Sequence, residues 1–243
     1  MRVHVVGCSP AWPNPGGAQS GYLVEQEGRR LLLDCGPGVL PRLRRLEPWP
    51  RVDAIVITHF HLDHWGDLVP WVWGVLHLRG RGIEPGHPDL WVPPGGRARL
   101  EHFGDDLGFP DMFERVFTVH EYEPGEPFVA AGHEVTALRL PHYRIASYGF
   151  RVTDDDVVLA YSGDSAPDGR LVELARGADL FICEATLLTG ESDGAPPRGH
   201  LSLDEANDAF VASGAKRLLV THRPVELPSE GYEIAYDGLE LEL

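Results

Sequence analysis

The stretch Thr58-His59-Phe60-His61-Leu62-Asp63-His64-Trp65 decides how the rest of the chain is read. Three histidines and an aspartate fall within six positions, directly after the apolar run Asp53-Ala54-Ile55-Val56-Ile57. Side chains two apart at the end of a strand point the same way, so His59 and His61 can share one metal ion. The chain then bends, and Asp63 and His64 can face a second ion. Imidazole nitrogen and carboxylate oxygen suit zinc, manganese or iron(II). A lone histidine would be read as packing; four ligand-type side chains this close together are read as a metal loop.

Working outward, other apolar strands also end in ligand-type residues: His142 after Glu134–Leu140, Asp164 after Val157–Tyr161, Glu184 after Asp179–Cys183 and His222 after Leu218–Thr221. A layered α/β domain with a site along one edge of its sheets produces this pattern. Further strands are expected at residues 2–6, 89–92 and 113–119. Hairpins are expected around Glu27-Gly28-Arg29 and around Asp154-Asp155-Asp156, the latter read as a solvated turn. Leu40, Leu43 and Leu46 predict a short helix, Asp67 a cap for the next one, residues 96–107 a weak helix, and Leu171, Leu174 and Ala175 another. Ser202-Leu203-Asp204-Glu205 is a capping box. The tail from Tyr232 reads as two short strands around Asp237-Gly238. Trp71 and Trp73 are read as packing, and the isolated His77, His87, His102, His120 and His133 as surface or packing residues. With no linker or repeat visible, residues 1–243 are expected to form a single domain, in which 78–131 walls the pocket.

Composition narrows the function classes. Hydrophobic residues make up 43% of the 243, enough for a sizeable core, and the formal net charge is −16. Lys216 is the only lysine, so the Lys/Arg stripe of a long nucleic-acid footprint is missing. Cys8, Cys35 and Cys183 are far apart and form no CxxC pair, which predicts buried thiols rather than disulfides or a thiolate metal site. The start of the chain reads as strand rather than signal peptide, and no apolar run approaches the ~20 residues of a membrane span. A cytoplasmic protein is therefore expected.

Together, His59-x-His61-x-Asp63-His64, His142, Asp164 and His222 resemble the metallo-β-lactamase superfamily, whose motifs they match in order over essentially the whole chain. The resemblance implies a four-layer αββα sandwich. It also implies one ion held by His59, His61 and His142, a second by Asp63, His64 and His222, and Asp164 bridging. The ribonuclease Z-like branch, with its tRNA 3′-processing enzymes and PhnP-type cyclic phosphodiesterases, is matched more closely. That match rests on Asn14-Pro15, Leu32-Leu33-Asp34-Cys35-Gly36-Pro37-Gly38, Tyr161-Ser162-Gly163-Asp164, Cys183-Glu184-Ala185-Thr186, Gly199-His200-Leu201-Ser202 and Ala235-Tyr236-Asp237-Gly238. In that branch the counterparts of Glu184 and His200 form a catalytic pair, and the resemblance alone implies a homodimer.

The resemblance thus implies two divalent ions, zinc first with manganese or iron as alternatives, and a hydroxide between them as nucleophile. Asp63 would orient that hydroxide, and His200, oriented by Glu184, would protonate the leaving group. Asp34 and Thr58 would orient ligand histidines; Arg144 and Arg223 adjoin ligands and are candidate phosphate contacts. The chain departs from ribonuclease Z in having only 21 residues between His142 and Asp164, with no long basic arm there. The leading expectation is a phosphodiesterase on a small or cyclic nucleotide-type ester. Carboxylic ester or lactone hydrolysis, a ribonuclease Z-type endonuclease without the arm, and a non-catalytic metal-binding protein are the alternatives.

Overall fold

The computed structural model describes residues 1–45, 47–190 and 197–243. Its first sheet contains β1 (Arg2–Gly7), β2 (Gly21–Gln26), β3 (Arg29–Leu33), β4 (Ala54–Val56), β5 (Asp89–Val92) and β6 (Thr118–Glu121), and β13 (Glu240–Glu242) returns to pair with β1. The strand order is β13-β1-β2-β3-β4-β5-β6. β2 and β3 form the expected hairpin, with Glu27 and Gly28 both at positive φ. From β3 to β6 the strands run parallel. Parallel strands are covered on both faces, and this is why Ala54, Ile55 and Val56 are apolar without alternation and wholly buried.

The second sheet has the order β12-β11-β10-β9-β8-β7. Its strands are β7 (Pro127–Ala130), β8 (His133–His142), β9 (Ile145–Asp154), β10 (Val157–Tyr161), β11 (Leu180–Glu184) and β12 (Leu218–Thr221). β7 to β10 are antiparallel and β10 to β12 parallel. The sheets face each other across a core that includes Val5, Tyr22, Val56, Phe150, Tyr161 and Ile182. On the outer side of the first sheet lie α1 (Val39–Leu43), α2 (Leu62–Trp65), α3 (Leu68–Leu78) and α4 (Gly96–Asp106), sealed by Ile55, Ile57, Trp71 and Leu100. On the outer side of the second lie α5 (Gly169–Ala175) and α6 (Leu203–Ser213), sealed by Leu174, Phe181, Ala206 and Val220. The result is the expected αββα sandwich. α6 starts on the predicted capping box, with Ser202 and Glu205 reciprocally bonded. Among the described residues no helix is long and apolar enough to cross a membrane.

Several local expectations are corrected. Residues 113–117 form turns rather than strand, and β6 begins at Thr118. The buried set Met112, Phe113, Val116, Phe117 has helix-like spacing, not alternation. β7 is a strand that the Pro/Gly-flanked sequence did not announce. The tail supplies one strand and a single bridge at Ile234. Asp67 stands at the N-cap position of α3 as expected, but its carboxylate makes no cap bond there and instead accepts the Leu40 N–H at 2.8 Å, holding the start of α1. His133 is fully buried with Nδ1 2.9 Å from Asp154, and Asp154 also binds Arg29 at 2.8 Å, so this acidic residue is tied down rather than solvated. Leu46, assigned to the first helix by spacing, lies outside the described residues.

Candidate metal centre

The loop after β4 delivers its ligands through a tightly fixed backbone. Cys35 N–H donates to the His64 carbonyl at 2.7 Å, and Asp67 N–H donates to the Cys35 carbonyl at 3.0 Å. Gly36 has to be glycine here: a Cβ would stand 1.9 Å from the Asp63 carbonyl oxygen. α4 braces the same loop from outside, where Arg99 lies over Phe60 and Phe103 packs against Trp65.

Behind the loop sits Asp34, fully buried at a positive φ of 61°. Its carboxylate accepts the Thr58 N–H and hydroxyl, the Tyr161 hydroxyl at 2.8 Å and His64 Nδ1 at 2.7 Å. Thr58 Oγ1 lies 3.0 Å from His59 Nδ1. With Nδ1 held in this way, each ring presents Nε2 to the site. His142 is set likewise by the Gly199 carbonyl at 2.7 Å, and His222 by the Thr186 hydroxyl at 2.8 Å.

The front atoms converge in two groups, His59, His61, His142 and Asp164, and Asp63, His64, Asp164 and His222; within each, the ligand atoms lie within 4.8 Å of one another. Asp164 belongs to both. Its Oδ2 is 3.8 Å from His59 Nε2 and 3.7 Å from His142 Nε2, while Oδ1 is 3.3 Å from His64 Nε2 and 3.7 Å from His222 Nε2. Asp63 Oδ2 lies 3.4 and 3.2 Å from the same two nitrogens. His59 Nε2, His64 Nε2 and both Asp164 oxygens are buried yet lack a hydrogen-bond partner among the described residues. Buried polar atoms are ordinarily paired, so this unsatisfied cluster of nitrogens and carboxylate oxygens fits a pair of divalent cations.

The electrostatics of His59, His61 and His142 agree. Burial, reinforced by neighbouring imidazoles, holds His59 well below the ordinary histidine range and His61 at about 4. His142 is also lowered, chiefly by burial. Neutral imidazole is the form that ligates. Burial opposes charge on His64 too, but Asp164, Asp34 and Asp63 outweigh it and raise its pKa well above normal. Burial likewise works against ionisation of Asp63, yet His64 and His222 hold its carboxyl well below the usual range.

Glu184 and His200 stand at one edge of the centre. Glu184 Oε1 accepts the Ser165 N–H at 2.8 Å and pairs with His200 Nδ1 at 2.9 Å. Oε2 accepts the Thr186 N–H, the Thr186 hydroxyl and the Leu201 N–H. The His200 ring stacks 5.5 Å from that of His222, and its side chain is 12% exposed. All nine candidate side chains are thus brought together. Arg223, in contrast, is buried with its guanidinium on the carbonyls of Ala185, Leu187 and Pro228, which makes it a loop anchor. Arg144 is exposed at the tip of the β8–β9 hairpin. Sequence reasoning missed Ser165, whose backbone orients Glu184, and Tyr143, whose ring lies 4.8 Å from His142 and 5.5 Å from His200. Tyr143's adjacency to a ligand was the available signal.

A family model for the beta-lactamase superfamily domain matches residues 29–223. The chain belongs to the beta-lactamase superfamily. It is similar to the probable metallo-hydrolase YhfI of Bacillus subtilis, 30% identical over 92% of this chain and 87% of that one. The crystal structure of YhfI superposes with a TM-score of 0.81, at 26% identity over 99% of both chains. Human tRNase Z, short form, superposes with a TM-score of 0.79, at 27% identity over 100% of this chain and 99% of that one. A diphosphatase from the PhnP family shares the fold, with a TM-score of 0.78 and 22% identity over 100% and 97%. Family membership and the two His/Asp groups make the chain a metal-dependent hydrolase with a divalent-metal site.

Proposed function

We propose that this superfamily member is a dinuclear, zinc-dependent phosphodiesterase acting on a small or cyclic nucleotide-type ester. The observation that carries the reading is the Glu184–His200 pair, held at 2.9 Å beside Asp164 at the edge of the ligand cluster. Bound divalent cations supply a hydrolytic nucleophile at neutral pH and offset charge on phosphoryl oxygens. His59, His61 and His142 would hold one cation, Asp63, His64 and His222 the other, and Asp164 would touch both. Glu184 keeps the Nδ1 proton of His200 in place, so that Nε2 delivers a proton to the departing oxygen. An alkoxide leaving group needs that proton; an enol or phenolate hardly does. A phosphodiester that expels an alkoxide makes use of a donor so placed. The charge of −16 and the single lysine favour a small substrate over a long RNA.

The test is to assay zinc-loaded protein on bis(p-nitrophenyl) phosphate, on cyclic nucleotides, on a lactone panel and on a precursor tRNA. Turnover of the first two with silence on the others is expected. Lactone turnover without phosphodiester turnover would overturn the reading, and so would efficient cleavage of the precursor tRNA alone.

A further inference from the structure

Beside the centre, around the tip of the β8–β9 hairpin, lies a hollow of about 450 Å³. Arg139, Arg144 and Arg170 line it together with His142 and Tyr143, and among the described residues no carboxylate does. In a chain with 37 acidic and 21 basic residues, three arginines converging on one concavity run against the overall charge. Of the three, only Arg170 is in a salt bridge among the described residues, with Asp168 at 2.7 Å. Among the described residues, the exposed Arg139 and Arg144 therefore give the hollow a positive field.

The hollow and the centre share a wall. His142 faces the ligand cluster through Nε2, and Tyr143 lies against the rings of His142, His200 and His61. Tyr143 adopts a φ of +46°, in a two-residue turn position that glycine ordinarily fills. Its ring also presses on Gly199, where a Cβ would come within 2.4 Å of it. Strain of this kind, kept at the lip of a site, points to use.

We propose that the hollow is a subsite for a second phosphate of the substrate, with Tyr143 as the surface between the two phosphates. This rests on the phosphodiesterase reading and narrows it. The preferred substrate class becomes a nucleotide ester carrying a phosphate besides the scissile one, such as a linear or cyclic dinucleotide, ahead of a cyclic mononucleotide. Arg139 and Arg144 bind the non-reacting phosphate, and the Tyr143 ring packs on the intervening sugar or base.

The test compares adenosine 5′-monophosphate with adenosine 3′,5′-bisphosphate, as inhibitors of bis(p-nitrophenyl) phosphate turnover and as ligands in calorimetry. In the unmodified enzyme the bisphosphate should bind about tenfold more tightly or better. In the Arg139→Gln/Arg144→Gln double variant the ratio should fall to within about twofold, while Arg144→Lys should retain most of it. Because a ratio within one protein is read, a general loss of activity cancels. Equal binding of the two ligands by the unmodified enzyme, or an unchanged ratio in the double variant, overturns the subsite. If the double variant does not fold, raising salt from about 50 to about 500 mM on the unmodified enzyme decides, since a ratio that does not narrow is incompatible with exposed arginines. Calorimetry needs no turnover. Failure to hydrolyse any phosphodiester therefore refutes the functional reading, while the binding ratio judges the subsite separately.

Discussion

Replacing His200 by alanine separates proton donation from metal holding. The substitution removes one of five groups that the Glu184 carboxylate accepts; the Ser165, Thr186 and Leu201 N–H groups and the Thr186 hydroxyl remain. Glu184 is fully buried, and a lost partner would be costly if it were the only one. With four donors left, the stability cost should stay at about 2 kcal/mol, the net worth of one hydrogen bond to a charged group. The catalytic cost should depend on the leaving group. General acid catalysis is worth about 10²–10⁴-fold where the departing oxygen needs a proton. An alkyl phosphodiester should therefore lose about that much kcat. Bis(p-nitrophenyl) phosphate, whose phenolate leaves unprotonated, should lose no more than about threefold. The assay is kcat on both substrates, with metal content measured by mass spectrometry and folding by circular dichroism. Equal losses on the two substrates with metal retained would refute the proton-donor role.

Three other perturbations follow from the same geometry. Asp34→Asn replaces the acceptor of the His64, Tyr161 and Thr58 bonds with a group that carries an N–H face. It should weaken metal affinity about 10–100-fold in a chelator competition while leaving every direct ligand in place. Stripping metal leaves His59, His64 and Asp164 with buried, unpartnered atoms; readdition of zinc at about 1,000 times its Kd should restore about 4 kcal/mol, read as a Tm rise on the order of 10 °C by calorimetry. Burial pushes Asp67 up to about 6 despite the backbone donors of Leu40, Gly38 and Val39. Its folded pKa lies above its unfolded one, so the stability it lends is present below about pH 4 and lost as pH rises through about 6, on the order of 3 kcal/mol. Against wild type, Asp67→Asn should therefore gain in Tm between pH 4 and 7; a flat difference would show that Asp67 does not titrate in that window.

The centre was largely legible because its ligands sit where the sequence changes character. Apolar strands end abruptly in His59, His142, Asp164, Glu184 and His222, and such breaks survive without any knowledge of tertiary contacts. What stayed hidden depends on pairing between distant segments. Asp67 precedes a helix and reads as its cap, yet it reaches back 27 residues to hold Leu40. Asp154 reads as one of three turn acids, yet Arg29 and His133 arrive from two other strands and tie it down. Arg223 reads as a phosphate contact beside a ligand, but three carbonyls occupy its guanidinium. The run from Phe113 to Val119 has strand composition, but its apolar spacing is that of a turn packed under α4. In each case local propensity and tertiary partnership disagree, and burial decides.

The ligand set has a mechanical consequence. His59, His61, Asp63 and His64 follow a strand of the first sheet, whereas His142 ends a strand of the second and Asp164 and His222 follow others of it. Ions bound there tie the two sheets together across as many as 159 residues of chain, the interval from Asp63 to His222. The three cysteines are all free thiols, so no disulfide does this. Closing so long a loop is entropically expensive for the unfolded chain, and a metal clip offsets that cost only when both sheets are already formed. Bound cations would therefore act as a reversible crosslink, released by chelation or acid, in a chain that carries no covalent one among its described residues.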